Sequence, residues 1–568
     1  MLKEMQMVRV RATNIRFSDD REVEIPVEGM VLLVGPNNAG KSQVLKDLAG
    51  LARLSQYVGR AILSVVYEKS IDGDIQEWVS RNVPQINREG VNRFQIENWG
   101  EVTSQDIARQ WNQQDLNVLT PLFIFHADGT SRLSAGDSQQ SLDFSTQIPA
   151  HPVQRAYLDS DIEGEIDRES RAAFGLGVTV DRYGGSVISL RLGNRPLFEH
   201  DDGRPTDAYI SALKGLPRLE EQGDGVRSYL GLVLHLAAGR HQVLLIDEPE
   251  AFLHPPQARR LGSVLASKAQ SQQAFIATHS TDVVQGTLED GASVTIVRIT
   301  REGNVNHPAV LDDAAVKKLW SDPLLRYSNV LDGLFHDAVV LCESDADCRY
   351  YSAVLDHLPE ADTERAAQRE PQLLFTHCGG KARMSSVVDA LRAVSVPVTV
   401  VADFDVLRDA TDVEKIITSL GGDYEKYEAD LQLVAKALTS DEKPLRKLTL
   451  KDELGRKIDA LPNETVNRKE AETLRAILKA ESGWDKAKRS GLQAVPQGDA
   501  YEACERLLAG LRNAGLCVVP VGELERFAPG VPGHGPSWVS TVLEQKLHEA
   551  PGRDALEFVK GIRDSAAF

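Results

Sequence analysis

Cysteine is scarce in this sequence, and its spacing excludes more than its number does. The five cysteines, Cys342, Cys348, Cys378, Cys504 and Cys517, form no CxxC pair. A disulfide framework and a zinc ribbon are thereby set aside, and free thiols of a reducing cytoplasm are expected. Long apolar runs are absent too, so no membrane span is expected. The N-terminal MLKEMQMVRVRATNIRF carries charges where a secretory signal needs an apolar core. Positive charge is in deficit: 64 Lys and Arg face 83 Asp and Glu, a net charge of -19. Proteins that coat nucleic acid non-specifically are usually basic. Any binding of a polyanion must therefore rely on a local basic groove or on metal ions. Internal repeats and long low-complexity tracts are missing as well, which excludes solenoid and disordered classes.

What is present is a chain of 568 residues, enough for about two to four domains. The first half alternates strand-like and helix-like segments, as an α/β fold does. MVLLV (30–34), QVLLI (242–246), AFIAT (274–278) and VTIVRI (294–299) read as buried strands. Residues 52–118, polar and helix-like, and residues 136–172, Ser/Gln/Asp-rich and then helical, read as insertions that could serve dimerisation. The pattern restarts near residue 332. AVVLC (338–342), LLFT (373–376), VPVTVVA (396–402) and LCVVPV (516–521) predict a second sheet. The charged stretch 408–512 is too long for a loop and predicts a helical insertion, slightly basic within an acidic protein. Its densest basic spot is WDKAKR (484–489), where Trp484 can stack on a base or simply pack.

GPNNAGKS (35–42) follows a strand and precedes a helix, the context that a GxxxxGKS phosphate loop requires. Gly35 and Gly40 let the backbone curl. Pro36, Asn37, Asn38 and Ala39 fill the loop whose amides face phosphate. Lys41 reaches the β- and γ-phosphates, and Ser42 offers a hydroxyl to Mg²⁺. VLLIDEPEAFLHP (243–255) supplies the partner carboxylates. Asp247, at the strand end, holds Mg²⁺, and Glu248 orients or deprotonates the attacking water. FIATHS (275–280) ends with His279, placed to sense the γ-phosphate.

A second group of acids also sits at strand ends. Glu343 ends 338–342, with Asp347 one helical turn on, and Asp345 is expected to face solvent. Asp403 and Asp405 end 396–402 in VVADFDV. Carboxylates at i and i+2 after a strand can share a metal, and an all-oxygen set favours Mg²⁺, with Mn²⁺ as a substitute. Two such ions would stabilise the attacking and leaving oxygens of a phosphodiester. Glu523 and Glu525 in VPVGELERF emerge at the same sheet edge, and one of them completes the site. Gly379, Gly380 and Lys381 in THCGGKARM suit backbone contact with phosphate, and equally a plain strand–helix turn.

The first three motifs, in this order, resemble the ABC-type ATPase heads of chromosome-maintenance and break-repair proteins. That resemblance implies heads that dimerise around ATP, with a signature segment acting in trans. GDGVRS (223–228), with Gly225 and Ser228, is the candidate segment and departs from the LSGGQ form. No Q-loop glutamine is evident, and Arg132 in FHADGTSR is the candidate substitute. ExxxD followed by DxD resembles the TOPRIM domain, with Ser344 in place of the usual glycine. An ABC head followed by TOPRIM resembles the OLD (overcoming lysogenisation defect) nucleases, which include anti-phage enzymes of the Gabija type. The resemblance spans nearly the whole chain. It implies an ABC-type ATPase domain over 1–332, with dimerisation insertions within 52–172, and a TOPRIM nuclease domain over 333–568, with a helical insertion about 408–512. It further implies ATP-regulated, metal-dependent cleavage of DNA in the cytoplasm by a homo-oligomer, dimer or tetramer, and a second defence-system protein as partner. The family's C-terminal catalytic lysine falls on Lys560 in FVKGIR. The competing expectation is a DNA-binding or scaffold ATPase with a non-catalytic TOPRIM fold. A topoisomerase would need a nucleophilic Tyr on a strand-passage domain, and a primase usually brings a zinc ribbon; the sequence offers neither.

Overall fold

The apolar runs of the first half become neighbouring strands of one sheet. In spatial order these are Val305–Leu311, Val294–Glu302, Met30–Val34, Gln273–Ala277, Val243–Asp247 and Ile124–Ala127. The last five run parallel, and Val305–Leu311 returns antiparallel as a hairpin edge. Met30–Val34 and Gln273–Ala277 are buried at every position, which explains unbroken apolar runs rather than alternation. The structure is a computed structural model. It describes residues 8–566 apart from 55, 89–90, 97–98, 145–146, 198–203, 290, 322–328, 359–370, 441–446, 462–464, 469, 472 and 475–481. Two units divide the chain, Met1–Arg326 and Tyr327–Phe568, and both are α/β.

Residues 52–118 differ from the expected helical insertion. Ile62–Ile71 is a strand that pairs antiparallel with Val8–Phe17. Gln85–Arg88, Val91–Ile96 and Gly100–Thr103 form a small antiparallel sheet. The polar residues of Ile62–Ile71 face solvent on a half-buried strand, which hides its β-branched pattern from a helical reading. The segment is also no separate arm. Tyr67, Trp78, Phe94 and Ile107 pack in one core with Val31 and Leu33 of the central sheet. Asp47 fixes the return of the chain, its Oδ2 accepting from the backbone N–H of Arg60, Ala61 and Ile62. Residues 160–174 are helical as expected, and Glu165 and Glu169 pair with Lys268 and Arg260.

At the Ile124–Ala127 edge, the ring of Phe125 lies 4.1 Å from that of His235 and 5.3 Å from that of His241. Burial, then the Arg155 charge, pushes His151 and His241 down to about 4, and burial, then the neighbouring His241 and His151, pushes His235 down to about 3. Arg240 adds to the effect on His241. Native imidazoles that stay neutral bind fewer protons than the unfolded chain below its ordinary pKa of about 6.5. Stability of this unit is therefore full above about pH 6.5 and falls as pH drops toward the native values, by at most about 1.4 kcal/mol per pH unit per imidazole. Some exposure to solvent at each ring keeps the slope below that ceiling. Melting curves between about pH 7.5 and about pH 5 should show the decline, and His235→Leu should flatten it.

The second unit is built on four parallel strands in the order Leu373–His377, Ala338–Cys342, Val398–Ala402, Leu516–Val518. Helices Asp345–Leu355, Pro536–Glu544 and Arg553–Ala566 pack Tyr350, Tyr351, Trp538 and Phe558 into one core against them. Between the last two strands lie helices Ala410–Ser419, Glu425–Ser440, Lys447–Asp459, Gly483–Ser490 and Asp499–Asn513. All five cysteines are buried and free. Among the described residues, no helix is long and apolar enough to cross a membrane.

Candidate functional site

In the first unit, strand register brings the phosphate loop and its partners together. Gln273–Ala277 lies between Met30–Val34 and Val243–Asp247, and Ala277 is level with both Leu33 and Asp247. Gly35, Asp247 and the turn leading to His279 therefore leave one sheet edge. Gly35 has φ 139, and a Cβ there would collide with the carbonyl oxygen of Ile299, so only glycine fits. Asn306 of the hairpin edge clamps the loop, its Nδ2 donating to the Ala39 carbonyl at 2.6 Å. Lys41 opens helix Lys41–Arg53 and donates to the carbonyls of Gly35 (2.7 Å) and Pro36 (2.9 Å). Burial lowers its pKa to about 8, against the opposing charges of Glu248, Glu250 and Asp247. Ser42 Oγ donates to Asp247 Oδ1 at 2.8 Å, so hydroxyl and carboxylate meet at one point, a donor set that fits Mg²⁺.

Glu248 is exposed, with its backbone in the left-handed region at φ 45. A side-chain-bearing residue occupies that region only when its surroundings over-determine it. Here Glu248 N donates to the Ala277 carbonyl at 2.8 Å, and Arg132 Nη2 donates to the Glu248 carbonyl at 3.0 Å. His279 Nε2 stands 3.6 Å from Glu248 Oε1. Glu250, which the sequence did not single out, accepts from Thr278 Oγ1 (2.9 Å) and His279 N (2.7 Å), tying the two turns together. A third acid two residues beyond Glu248 was the only available signal.

Arg132 and Ser228 are placed differently from expectation. Arg132 is 1% exposed and donates to Ser228 Oγ and to the carbonyls of Asp247 and Glu248. It supports the acidic turn from behind rather than reaching outward. Ser228 is also 1% exposed, because the inner face of helix Asp224–Ala237 carries it into the core. Its side chain is thereby turned away from solvent. Gly225, in the first turn of that helix, lies at the surface beside an open cavity of about 330 Å³ lined by Phe252, Leu253 and His254.

In the second unit, Glu343 and Asp403 follow adjacent strands, and Glu343 Oε1 accepts from Asp403 N at 3.0 Å. Glu343, Asp403 and Asp405 each offer an oxygen, all within 4.8 Å of one another. Burial, then the charges of Glu343 and Asp347, pushes Asp403 up to about 8. Burial likewise raises Glu343 and Asp347, opposed at Asp347 by the hydrogen bonds from Ser344. Crowded, partly desolvated carboxylates without a nitrogen donor are a set that a divalent cation would relieve, and they fit Mg²⁺. Asp347 Oδ2 accepts from Ser344 N and Oγ, both at 2.9 Å, within a capping box of helix Asp345–Leu355. Asp345 points outward and pairs with Arg349.

Glu523 and Glu525 form a second cluster, with His534, again within 4.8 Å. Glu523 pairs with Arg526 at 3.1 Å, and Glu525 accepts from Gly535 N at 2.7 Å. The Glu525 charge adds to the upward shift of Asp347, after burial. His534 sits in a Gly/Pro-rich loop whose sequence gives no spacing signal.

The lysines at the acids are not the expected one. Lys381 Nζ pairs with Asp405 and stands 3.7 Å from Glu343, and Lys488 Nζ stands 3.4 Å from Asp405. Gly379 (φ 72) and Gly380 (φ 124) provide the turn that delivers Lys381. Lys560 lies half-buried on helix Arg553–Ala566, and no ion pair ties it to the acids among the described residues. Trp484 is 6% exposed and packs rather than stacks.

A family model described as "AAA domain, putative AbiEii toxin, Type IV TA system" matches residues 167–284. The match takes in Gly225, Asp247, Glu248 and His279, so this part of the first unit is similar to an AAA-type ATPase domain. No curated protein matches the sequence. Solved structures that resemble it include an Smc head bound to the C-winged helix domain of ScpA, at 11% identity over 54% of this chain and 98% of that chain, TM-score 0.33. Another is an Smc head with an extended coiled coil bound to the C-terminal domain of ScpA, derived from Pyrococcus furiosus, at 12% over 55% and 98%, TM-score 0.32. The SMC head domain from Thermotoga maritima gives 14% over 54% and 98%, TM-score 0.27.

Proposed function

We propose that this protein is an ATP-regulated, metal-dependent DNA endonuclease whose first unit binds and hydrolyses ATP and whose second unit, a TOPRIM domain, cuts phosphodiesters in defence against invading DNA. The observation that carries the reading is the meeting of Glu343, Asp403 and Asp405 from adjacent parallel strands within 4.8 Å, in a chain that also holds a complete phosphate loop. Glu343, Asp403, Asp405 and Asp347 would hold one cation, and Glu523 and Glu525, with His534, a second. Bound Mg²⁺ would supply charge to the attacking and leaving oxygens of the scissile phosphate. Lys381 adds a fixed positive charge at the same point, suited to a non-bridging phosphate oxygen. At the nucleotide, Lys41 would bind the phosphates, Ser42 and Asp247 would hold Mg²⁺, Glu248 would orient the water, and His279 stands beside Glu248. Gly225 at the surface supports pairing of two heads around ATP, the homo-oligomer this reading requires.

The test is relaxation of supercoiled plasmid by purified full-length protein, with Mg²⁺ or Mn²⁺ and with or without ATP. Nicking that EDTA abolishes is expected. ATP hydrolysis with no cleavage under any metal would leave a DNA-binding ATPase with a non-catalytic second unit.

The route of DNA to the acids has one basic feature in view. Helix Gly483–Ser490 brings Lys488 onto Asp405, with Lys486 and Arg489 on the same short segment. Neutralising Lys486, Lys488 and Arg489 together should weaken DNA affinity. It should also reduce the log–log salt slope by about one unit for each phosphate left without its cation. Filter binding across a salt titration measures this. An unchanged slope would place the DNA path elsewhere.

A further inference from the structure

Two histidines, His357 and His548, belong to neither acidic cluster and take no part in the proposed chemistry. His357 follows helix Asp345–Leu355 by two residues. His548 and Glu549 belong to the short 3-10 turn Leu547–Glu549, which leads toward the C-terminal helix Arg553–Ala566. Asp347 and His357 are ten residues apart, about 15 Å at 1.5 Å per helical residue. The two imidazole rings stand 5.0 Å apart, nearly perpendicular at 85°. His357, His548 and Glu549 each offer one ligand atom, all within 4.8 Å of one another.

We infer that His357, His548 and Glu549 form a binding site for a divalent transition-metal ion of the zinc class, with a fourth position open to water. The donor chemistry carries the choice. Two imidazoles and one carboxylate suit Zn²⁺, Ni²⁺ or Co²⁺ and not the oxygen-seeking Mg²⁺. His357 is already oriented as a ligand. Its Nδ1 lies 2.9 Å from the Ala353 carbonyl, which can only accept, so Nδ1 carries the proton and the lone pair of the neutral ring sits on Nε2. A ligand histidine whose other nitrogen donates to a backbone carbonyl is the usual outer arrangement of metal sites. His548 supplies an independent observation: its Nδ1 is buried and has no hydrogen-bond partner among the described residues. A buried polar nitrogen left unpaired is costly, and coordination would satisfy it. Glu549 is steadied from outside the site, where Lys546 Nζ pairs with its Oε1 at 3.0 Å. Ligand atoms around a tetrahedral Zn²⁺ lie about 3.4 Å apart, given bonds of about 2.1 Å. The exposed Glu549 reaches that spacing by side-chain rotation while His357 keeps its hydrogen bond to Ala353. The ion fastens the turn that precedes the C-terminal helix to the end of the helix that starts at the acids.

The experiment titrates Zn²⁺ into the full chain against a chromophoric chelator, with Mg²⁺ in excess to fill oxygen-only sites. Co²⁺ is titrated in parallel to read its visible absorption. Wild type should hold an equivalent of Zn²⁺ that His357→Ala and His548→Ala each lose. Affinity should fall by about 100-fold or more, since losing a ligand costs at least what losing an outer partner does. Zn²⁺ should also raise the melting temperature of wild type and not of these variants. Glu549→Gln, which keeps the shape, should weaken binding and shift the Co²⁺ spectrum. His534→Ala is the control for the Glu523/Glu525 cluster and should leave this equivalent in place. Equal Zn²⁺ uptake by wild type and both histidine variants, or a loss seen only in His534→Ala, would overturn the site. So would a wild type that holds no Zn²⁺ under these conditions. None of these readouts depends on DNA cleavage, so the inference stands or falls apart from the nuclease reading.

Discussion

Asp403→Ala in the full chain is expected to lose metal-dependent DNA cleavage by about a thousandfold or more while ATP hydrolysis continues. Removing even one preorganised electrostatic group from a site commonly costs about 10²- to 10³-fold in rate. Asp403 does more than one such group, because its carboxylate is one of three, with Glu343 and Asp405, that would share the same cation, and alanine leaves that set incomplete. Glu343→Ala should behave alike, since it is the matching ligand from the next strand. ATP hydrolysis survives because the phosphate loop belongs to another sheet in another unit. Plasmid nicking and phosphate release, measured on the same preparation, decide the matter. Simultaneous loss of both activities in a folded variant would mean one composite site.

Lys41→Ala is the second large effect, with ATP hydrolysis falling by about a thousandfold or more. The side chain is 4% exposed and its ammonium is held by two loop carbonyls, so its charge is fixed where the β- and γ-phosphates would lie. Nothing else in the loop is cationic. Glu248→Gln should separate binding from hydrolysis. The amide keeps the side chain's size and its exposed place beside His279 but cannot take a proton from water. Nucleotide binding is read by fluorescence of a labelled ATP and turnover by phosphate release. Turnover at the wild-type rate in Lys41→Ala would remove the nucleotide site from 35–42. Failure of Glu248→Gln to bind nucleotide would assign Glu248 to holding the turn, a duty its φ of 45 also suits.

The strands that carry the chemistry, and the order of their acids, were legible in the amino-acid sequence. A strand buried on both faces must be apolar throughout, so a carboxylate directly after it is conspicuous; Asp247, Glu343 and Asp403 stood out for that reason. The phosphate loop was legible because glycine spacing and a lysine encode its geometry locally. The helical stretch 408–512 announced itself by length and charge. Which lysine meets the acids was settled only by tertiary packing. Lys381, Lys488 and Lys560 look alike in sequence, and only the chain's path through a Gly–Gly turn and a returning helix puts the first two on Asp405. Packing also turned Ser228 and Arg132 inward, because which face of Asp224–Ala237 is buried depends on what lies against it. Strand Ile62–Ile71 was hidden since half of it faces water and its partner, Val8–Phe17, lies about fifty residues away in sequence. His534, His357 and His548 carried no local signal, because a lone histidine in a loop acquires meaning only from neighbours that arrive from distant parts of the chain.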